Sequence, residues 1–472
     1  MLFDDLPADG AAAGPGDPHA GDPLLRLDPA RPFRWLFLDF NSYFASVEQQ
    51  EDPSLRGRPV GVVPSEGENT CVIAASVEAR ALGIRTGTPL REARRLCPGI
   101  ALRPARHDLY VAYHRRVLLE VERHAPVSRV WSIDELSVRL IGPQRAPEGA
   151  LAVARAIKAG LSARIGPCVR CSIGLAPSRQ LAKLATELEK PDGLVALGPG
   201  DLPGPLLRLA LRDFPGIGPR LAVRLARCGV LDAAGLWAMG PKRARLVWGS
   251  VEGERFWYGL RGADLPEPPP ANGGLPHSLS HARVLPPDLR DAASARHVSR
   301  LLVMKAAARL RAAACLATVF ALGVEPAAAG GVRRRDAPRG GGDHGLYGET
   351  RLRQTDDDRV LLAALDGLWA ALLAGPEAPA RVWRVSVALA GLLAAARATP
   401  DLFGRLSPSG AAETRSRLGQ AVDRVHRRFG RGSLVFGPAP LDREAYAGNK
   451  IAFSRMPPGP DDDGGGGGVP AR

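Results

Sequence analysis

Trp35-Leu36-Phe37-Leu38-Asp39-Phe40 is the stretch on which the reading of this chain turns: an apolar run that ends by delivering a carboxylate. Further along, Ser132-Ile133-Asp134-Glu135 supplies a second acidic pair. A strand that carries an acid into a concave site, met by acids from elsewhere in the chain, is how a protein holds two divalent cations for phosphoryl transfer. Taken singly, an Asp after an apolar strand is an ordinary turn or capping residue. An isolated Asp-Glu pair is ordinary solvated surface. The two segments therefore gain weight only together with what surrounds them.

Strand geometry constrains the pair. Val130 to Leu140 alternates as a strand should, and on a regular strand Asp134 and Glu135 point to opposite faces. Both reach one metal site only if a twist, bulge or strand end intervenes. The alternative is Asp134 inward with Glu135 exposed.

Two further segments carry charge or backbone donors. In Leu181-Ala182-Lys183-Leu184-Ala185-Thr186-Glu187-Leu188-Glu189-Lys190 the two lysines lie about two helical turns apart and share a face. Pro191-Asp192-Gly193 then ends the helix. A compact ammonium on such a face suits a phosphate, although a merely solvated basic face fits the spacing equally well. Phe214-Pro215-Gly216-Ile217-Gly218-Pro219-Arg220 opens a helix running to Cys228. Its glycines and free helix-start N–H groups suit phosphate contact, as in a helix-hairpin-helix that clamps nucleic acid without reading sequence. The residues of that hairpin are Gly216, Ile217, Gly218 and Arg220.

Composition agrees. At 472 residues the chain requires several domains or subdomains. Its apolar share of 45% and charged share of 24% are those of an ordinary globular protein. A net charge of +14 points to a polyanionic partner, nucleic acid before others. Arginine supplies nearly all of it, the lysines being Lys158, Lys183, Lys190, Lys242, Lys305 and Lys450. The six cysteines are scattered in apolar surroundings, as reduced thiols are, and Cys168-Val169-Arg170-Cys171 has no second pair to complete a zinc site. With no basic n-region and no apolar run of spanning length, a cytoplasmic protein without a membrane partner is expected.

Residues 1–32 and 457–472 read as disordered tails. Leu265-Pro266-Glu267-Pro268-Pro269-Pro270-Ala271-Asn272-Gly273-Gly274 reads as a semi-rigid linker. Beyond it, a helix over His297 to Ala314, a strand over Leu316 to Val324, a Gly/Arg loop at 330–348, a helix over Val360 to Leu373 and a strand over Val382 to Leu389 make an α+β module.

Six motifs in order resemble the Y family of translesion DNA polymerases. They are Asp39-Phe40-Asn41-Ser42-Tyr43-Phe44-Ala45-Ser46-Val47-Glu48, Leu55-Arg56-Gly57-Arg58-Pro59-Val60, Val72 to Ile84, Ser132 to Glu135, Ser172-Ile173-Gly174-Leu175-Ala176 and Glu189 to Gly193. Asn41, Cys71-Val72-Ile73-Ala74 and Phe429-Gly430-Arg431-Gly432 look closer to the UmuC branch than to DinB. The resemblance implies an α+β multidomain, right-hand polymerase. Palm would be 33–43 and 109–205, small fingers 44–108, and a helix-hairpin-helix thumb 206–264. A linker at 265–276, a little finger at 277–395 and an extension at 396–456 would follow.

The resemblance further implies that Asp39, Asp134 and Glu135, with the carbonyl of Phe40, hold two magnesium ions. Tyr43, Phe44, Arg80, Lys183 and Lys190 would contact the incoming nucleotide, Phe44 as the ring that excludes a 2′-hydroxyl. Implied partners are primer-template DNA and dNTPs, with a sliding clamp and recombinase filament as accessories; no clamp peptide stands out in the C-terminal tail. Ala74 and Val77 replace the Thr and Tyr of many members, so two hydroxyl contacts to the triphosphate are missing. An inactive DNA-binding adaptor on the same fold, like ImuB-type members, would have no need of the three acids. A helix-hairpin-helix repair nuclease would leave Phe44 and Lys190-Pro191-Asp192-Gly193 without a purpose.

Overall fold

The run Trp35–Phe40 is a strand, β1, buried along its whole length. In this computed structural model, residues 22–64, 70–267, 275–327, 345–375, 378–398, 409–429 and 433–434 are described. They divide into two units, with the boundary after Glu267.

In the first unit β1 is followed by α1 (Tyr43–Glu51), β2 (Val60–Val63), β3 (Ala74–Ala75), α2 (Val77–Ala81), α3 (Leu90–Leu96), β4 (Ala101–Pro104) and α4 (His107–Glu122). Next come β5 (Val127–Val130), β6 (Glu135–Arg139), α5 (Pro147–Arg164), β7 (Cys171–Ala176), α6 (Arg179–Leu188) and β8 (Leu194–Ala196). Four short helices complete it: α7 (Pro219–Arg227), α8 (Ala233–Ala238), α9 (Pro241–Trp248) and α10 (Val251–Leu260). The main sheet runs β5-β6-β1-β7-β8, and a small one runs β3-β2-β4.

Strand β1 works because its two faces have different partners. Leu36, Leu38 and Phe40 enter a core with residues of α1, α4 and α5. Trp35 and Phe37 enter another with residues of α6 and of the helices α7 to α10. Burying a side chain such as Leu38 stabilises the fold by about 1.5–3 kcal/mol, so the alternation fixes which face Asp39 takes. It shares the α6 face with Trp35 and Phe37. Helix α6 can lie close because β7 carries Gly174, where a Cβ would stand 2.0 Å from the Ala182 carbonyl oxygen. Ser178 caps the helix, its hydroxyl accepting from the Leu181 N–H at 3.1 Å.

The second unit is an antiparallel sheet of β9 (Ser278–Val284), β10 (Cys315–Pro326), β11 (Leu346–Thr355) and β12 (Val382–Ala390) in the order β11-β10-β12-β9. The helices α11 (Ala292–Ala312) and α12 (Asp358–Leu373) share its core, in which Leu302, Phe320, Leu365 and Val387 are buried. The short β13 (Leu393–Ala394) pairs with β10, and a helix α13 (Ser409–Phe429) follows.

Several expectations change. Residues 22–32 are not a free leader: Pro23–Leu25 forms a 3-10 turn, Leu25 packs against the α6-side core, and the Tyr258 hydroxyl donates to Asp22 at 2.8 Å. Val130 to Leu140 is not one strand but a hairpin, because the Trp131 N–H turns back onto the Glu135 carbonyl at 2.9 Å. The Gly/Arg loop ends earlier than expected, since Leu346 already belongs to β11. Most of that loop, the first 21 residues, the Pro-Gly centre of the linker and the tail at 457–472 lie outside the described residues. No described helix is long and apolar enough to cross a membrane.

Candidate active site

The acids meet at one end of the main sheet. Register pairs Asp39 of β1 with Glu135 of β6, so both carboxylates stand on the α6 face. Asp134 precedes β6 in the hairpin turn, and its carbonyl accepts the Phe40 N–H at 2.8 Å. This strand end is the distortion that two adjacent acids require: the turn frees Asp134 from strand alternation, and all three acids line one cavity of about 1280 Å³.

Their charges are unevenly answered. Lys183 Nζ donates to Asp39 Oδ2, to Glu135 Oε1 at 3.0 Å and to Glu187 Oε1 at 3.2 Å. Lys190 Nζ reaches Asp39 Oδ2 at 2.9 Å and Glu187 Oε1 at 2.8 Å. Asp134 accepts from the Ser132 hydroxyl. Burial pushes the Asp134 carboxyl above its ordinary range, and the Asp39 charge pushes the same way. Burial also raises Glu135, against the pull of Lys183. Burial works against the Lys183 charge too, yet Asp39 and Glu135 outweigh it and hold the ammonium above its ordinary value.

Among the described residues no three His, Cys, Asp or Glu side chains are gathered into a metal-ligating cluster. The lysines therefore depart from expectation: instead of pointing at an empty phosphate position, their ammonium groups neutralise the acids. The donor set nevertheless fits hard divalent cations. It is all oxygen, it carries more carboxylates than ammonium groups, and it opens onto the cavity.

Around the acids stand the other expected residues. Phe44, on the first turn of α1, stacks on Tyr110 with ring centroids 4.4 Å apart and lines the cavity. Tyr43 also borders it, but its hydroxyl is committed to the Tyr110 carbonyl at 2.9 Å, and burial keeps it protonated. Arg80 lines the wall from α2, with Nε on the Ala75 carbonyl at 3.3 Å, beside Ala74 and Val77. Gly216, Ile217 and Gly218 line the same cavity, Gly216 at a φ of 97° that favours glycine. Ile217 is buried as an anchor, whereas Arg220 is exposed on α7 and does not reach the cavity. The hairpin is preceded not by an amphipathic helix but by short 3-10 turns at Gly204–Arg208 and Leu211–Asp213. Proline at 203 and 205 removes the N–H groups a longer helix would use.

Sequence reasoning missed Ser42, Thr86, Glu187 and Arg212, all of which line the cavity. Glu187 was within reach: four residues after Lys183 and three before Lys190, it had to face both. Thr86 and Arg212 arrive through tertiary packing and had no local signal. Cys168 and Cys171 are free thiols.

The chain matches the impB/mucB/samB family over residues 38–187 and that family's C-terminal domain over 276–402. It is 35% identical over 406 residues to the DNA polymerase IV of Moorella thermoacetica, covering 84% of this chain and 93% of that one. To the DNA polymerase IV of Pelotomaculum thermopropionicum it is 31% identical, covering 85% and 94%. The chain belongs to the Y family of DNA polymerases. A solved Y-family chimera of Dbh and Dpo4 superposes with a TM-score of 0.59 at 22% identity, over 76% of this chain and 98% of the other, which speaks to the fold. The fold is accordingly that of a Y-family enzyme, and the family's C-terminal domain falls in the second unit.

Proposed function

We propose that this chain is a template-directed DNA polymerase that copies past damaged bases with low fidelity in a DNA-damage (SOS) response. The observation that carries the reading is the convergence, on one open cavity, of Asp39, Asp134 and Glu135 with Phe44, Arg80, Lys190 and the Gly216–Gly218 hairpin. Asp39, Asp134, Glu135 and the Phe40 carbonyl are the groups that would hold two magnesium ions. Bound there, the ions supply an acidified primer 3′-hydroxyl and neutralise the triphosphate.

The chain's own residues do the rest. Arg80 faces the triphosphate from α2, and Lys183 and Lys190, which pair with the acids here, would be available to phosphate oxygens with the carboxylates engaged by cations. Phe44, backed by Tyr110, sits beneath the sugar and leaves no room for a 2′-hydroxyl. The hairpin and the basic surface grip primer-template DNA through phosphates, so binding falls steeply with salt. A hydroxyl-poor wall at Ala74 and Val77 makes nucleotide binding weaker than in members with Thr and Tyr there. This reading puts the protein in the cytoplasm, with its DNA.

Primer extension with magnesium and dNTPs, run beside Asp134→Ala, tests the reading. Wild type should extend and the variant should lose about three orders of magnitude or more, as when a main source of charge stabilisation is removed. Failure of the wild type with every divalent cation would turn the reading to a DNA-binding adaptor. Phe44→Ala should incorporate ribonucleotides that the wild type rejects. Unchanged sugar discrimination in incorporation assays would remove Phe44 from the role of gate.

A further inference from the structure

Three of the chain's six lysines meet at the end of β1, and only two of them enter the cleft. The third, Lys158 on α5, approaches from the opposite face of the sheet, the face that receives Leu36 and Leu38. Its Nζ donates to the Cys171 carbonyl and to the Asp192 carbonyl, each at 2.8 Å, and to the Asp192 carboxylate. An ammonium has three donors, and here each has an acceptor.

What Lys158 holds is the turn that follows Lys190. Asp192 has a φ of 60°, a left-handed conformation held at a non-glycine residue. Its N–H donates to Asn41 Oδ1 at 2.7 Å, and Asn41 Nδ2 donates to the Ser172 hydroxyl at 3.1 Å. The turn is thus fastened to the segment after β1 on one side and to α5 on the other. Lys190, two residues upstream, places its ammonium on Asp39. Arg170 is the other cation near Asp192 among the described residues, and it stands at 3.9 Å. Behind the turn lies a separate cavity of about 410 Å³, lined by Lys158, Ser162, Arg170 and Asp192.

We propose that Lys158 is a positioning residue for the incoming nucleotide: from behind the sheet it fixes the Asp192 turn, and that turn sets where Lys190 stands. The proposal rests on the polymerase reading above. Lys158 does not line the cavity of the acids, so its removal reaches the nucleotide through the turn that carries Lys190. Displacing a charged contact by an ångström costs as much as 100-fold in rate.

Single-nucleotide incorporation by the full-length chain, with dNTP varied over primer-template DNA and magnesium, tests this. Lys158→Met should raise the apparent KM for dNTP about tenfold, with primer-template affinity unchanged within about twofold. Lys158→Arg, which keeps charge and donors, should recover part of the loss. In a Lys190→Ala background Lys158→Met should add nothing further. A folded Lys158→Met with unchanged KM, or effects that simply add to those of Lys190→Ala, would overturn the proposal while leaving the polymerase reading intact. Should Lys158→Met fail to fold by circular dichroism, Asp192→Asn carries the same test with a smaller shift and the same non-additivity. Absence of extension by the wild type overturns both readings together.

Discussion

Two groups of buried charges occupy the two units, and they are built on opposite principles. In the second unit Arg311, 5% exposed, spends its guanidinium on fixed acceptors. It pairs with both oxygens of Asp423 at 2.7 and 2.8 Å, with Asp358 at 2.7 Å and with the Asp356 carbonyl at 2.9 Å. In the first unit Asp39, Asp134, Glu135 and Glu187 meet Lys183 and Lys190 at the wall of an open cavity that Arg80 and Arg212 also line. The first group ties α13 and the start of α12 to α11. Carboxylates outnumber their partner cation around Arg311 as well, but among the described residues only the acids of the first unit line a cavity that a ligand can enter. A charge cluster packed closed is a fastening, and one left open at the wall of a cavity is a binding site.

The sharpest way to break this distinction is Arg311→Met. It strands Asp358 and Asp423 without their cation, and removing one partner of a buried pair costs about 3–5 kcal/mol. Urea unfolding should show that loss, and magnesium should restore none of it. Acid should relieve part of it. Burial has already raised Asp358 to about 6, against the pull of Arg311. A carboxyl whose folded pKa is raised contributes stability below its unfolded pKa and loses it as pH rises through the folded value. Without Arg311 the Asp358 carboxyl stands higher still, so its share of the penalty should be absent below about pH 6 and grow as pH rises past it. A variant as stable as wild type would mean that α13 is held by something other than this guanidinium.

Lys183→Met makes the matching cut in the cleft, with a smaller expected effect. It leaves Asp39 and Glu135 short of an ammonium, but Lys190 still reaches Asp39 and Glu135 is partly exposed, so a loss of about 1–2 kcal/mol is expected, the cost of an unsatisfied group rather than of a sealed ion. Here magnesium should matter. Thermal melts should rise on adding it, and rise more for the variant than for wild type, because a ligand of the folded state stabilises by mass action. Equal rises would mean that Lys183 does not hold the place of a cation.

The same contrast separates what the sequence disclosed from what it withheld. Asp39 was legible because strand alternation and an apolar run decide its face locally, and Lys183 because helical spacing does, whereas Lys190 lies in the turn just past the end of α6, not on the helical face expected for it. The joint membership of Asp134 and Glu135 was legible only as a requirement for a distortion. The hairpin that meets it depends on a backbone hydrogen bond between Trp131 and Glu135, which no residue pattern announces. Lys183 and Lys190 were expected to serve phosphate directly. Their present contacts with the acids follow from tertiary distance, to which spacing is blind. In the second unit α11, α12, β10 and β12 were legible from periodicity, whereas β9 and β11 were not, and Arg311 looked like any other arginine in a chain rich in them. Its partners come from segments far away in sequence, on α12 and α13.

The smallest expected effect is also the most discriminating, because its sign is opposite in the two regions. Asp134→Asn keeps an oxygen to accept from Ser132 and sheds a charge that burial and Asp39 both disfavour. Since its folded pKa is raised, the contribution of Asp134 to stability is full below the ordinary carboxylate pKa and is lost as pH rises through the folded value. The variant escapes that loss. In metal-free buffer it should be more stable than wild type at neutral pH by on the order of 1 kcal/mol, as when an active-site residue is relieved of its strain. The gap should close as pH falls below about 4. The same variant should no longer extend a primer. Asp423→Asn in the other cluster should do the reverse and destabilise the fold at neutral pH, since there the charge has a guanidinium fitted to both its oxygens. If Asp134→Asn proved destabilising in calorimetry at pH 7, its carboxylate would be a fastening like those around Arg311, and a charge cluster open at a cavity wall would no longer mark the site.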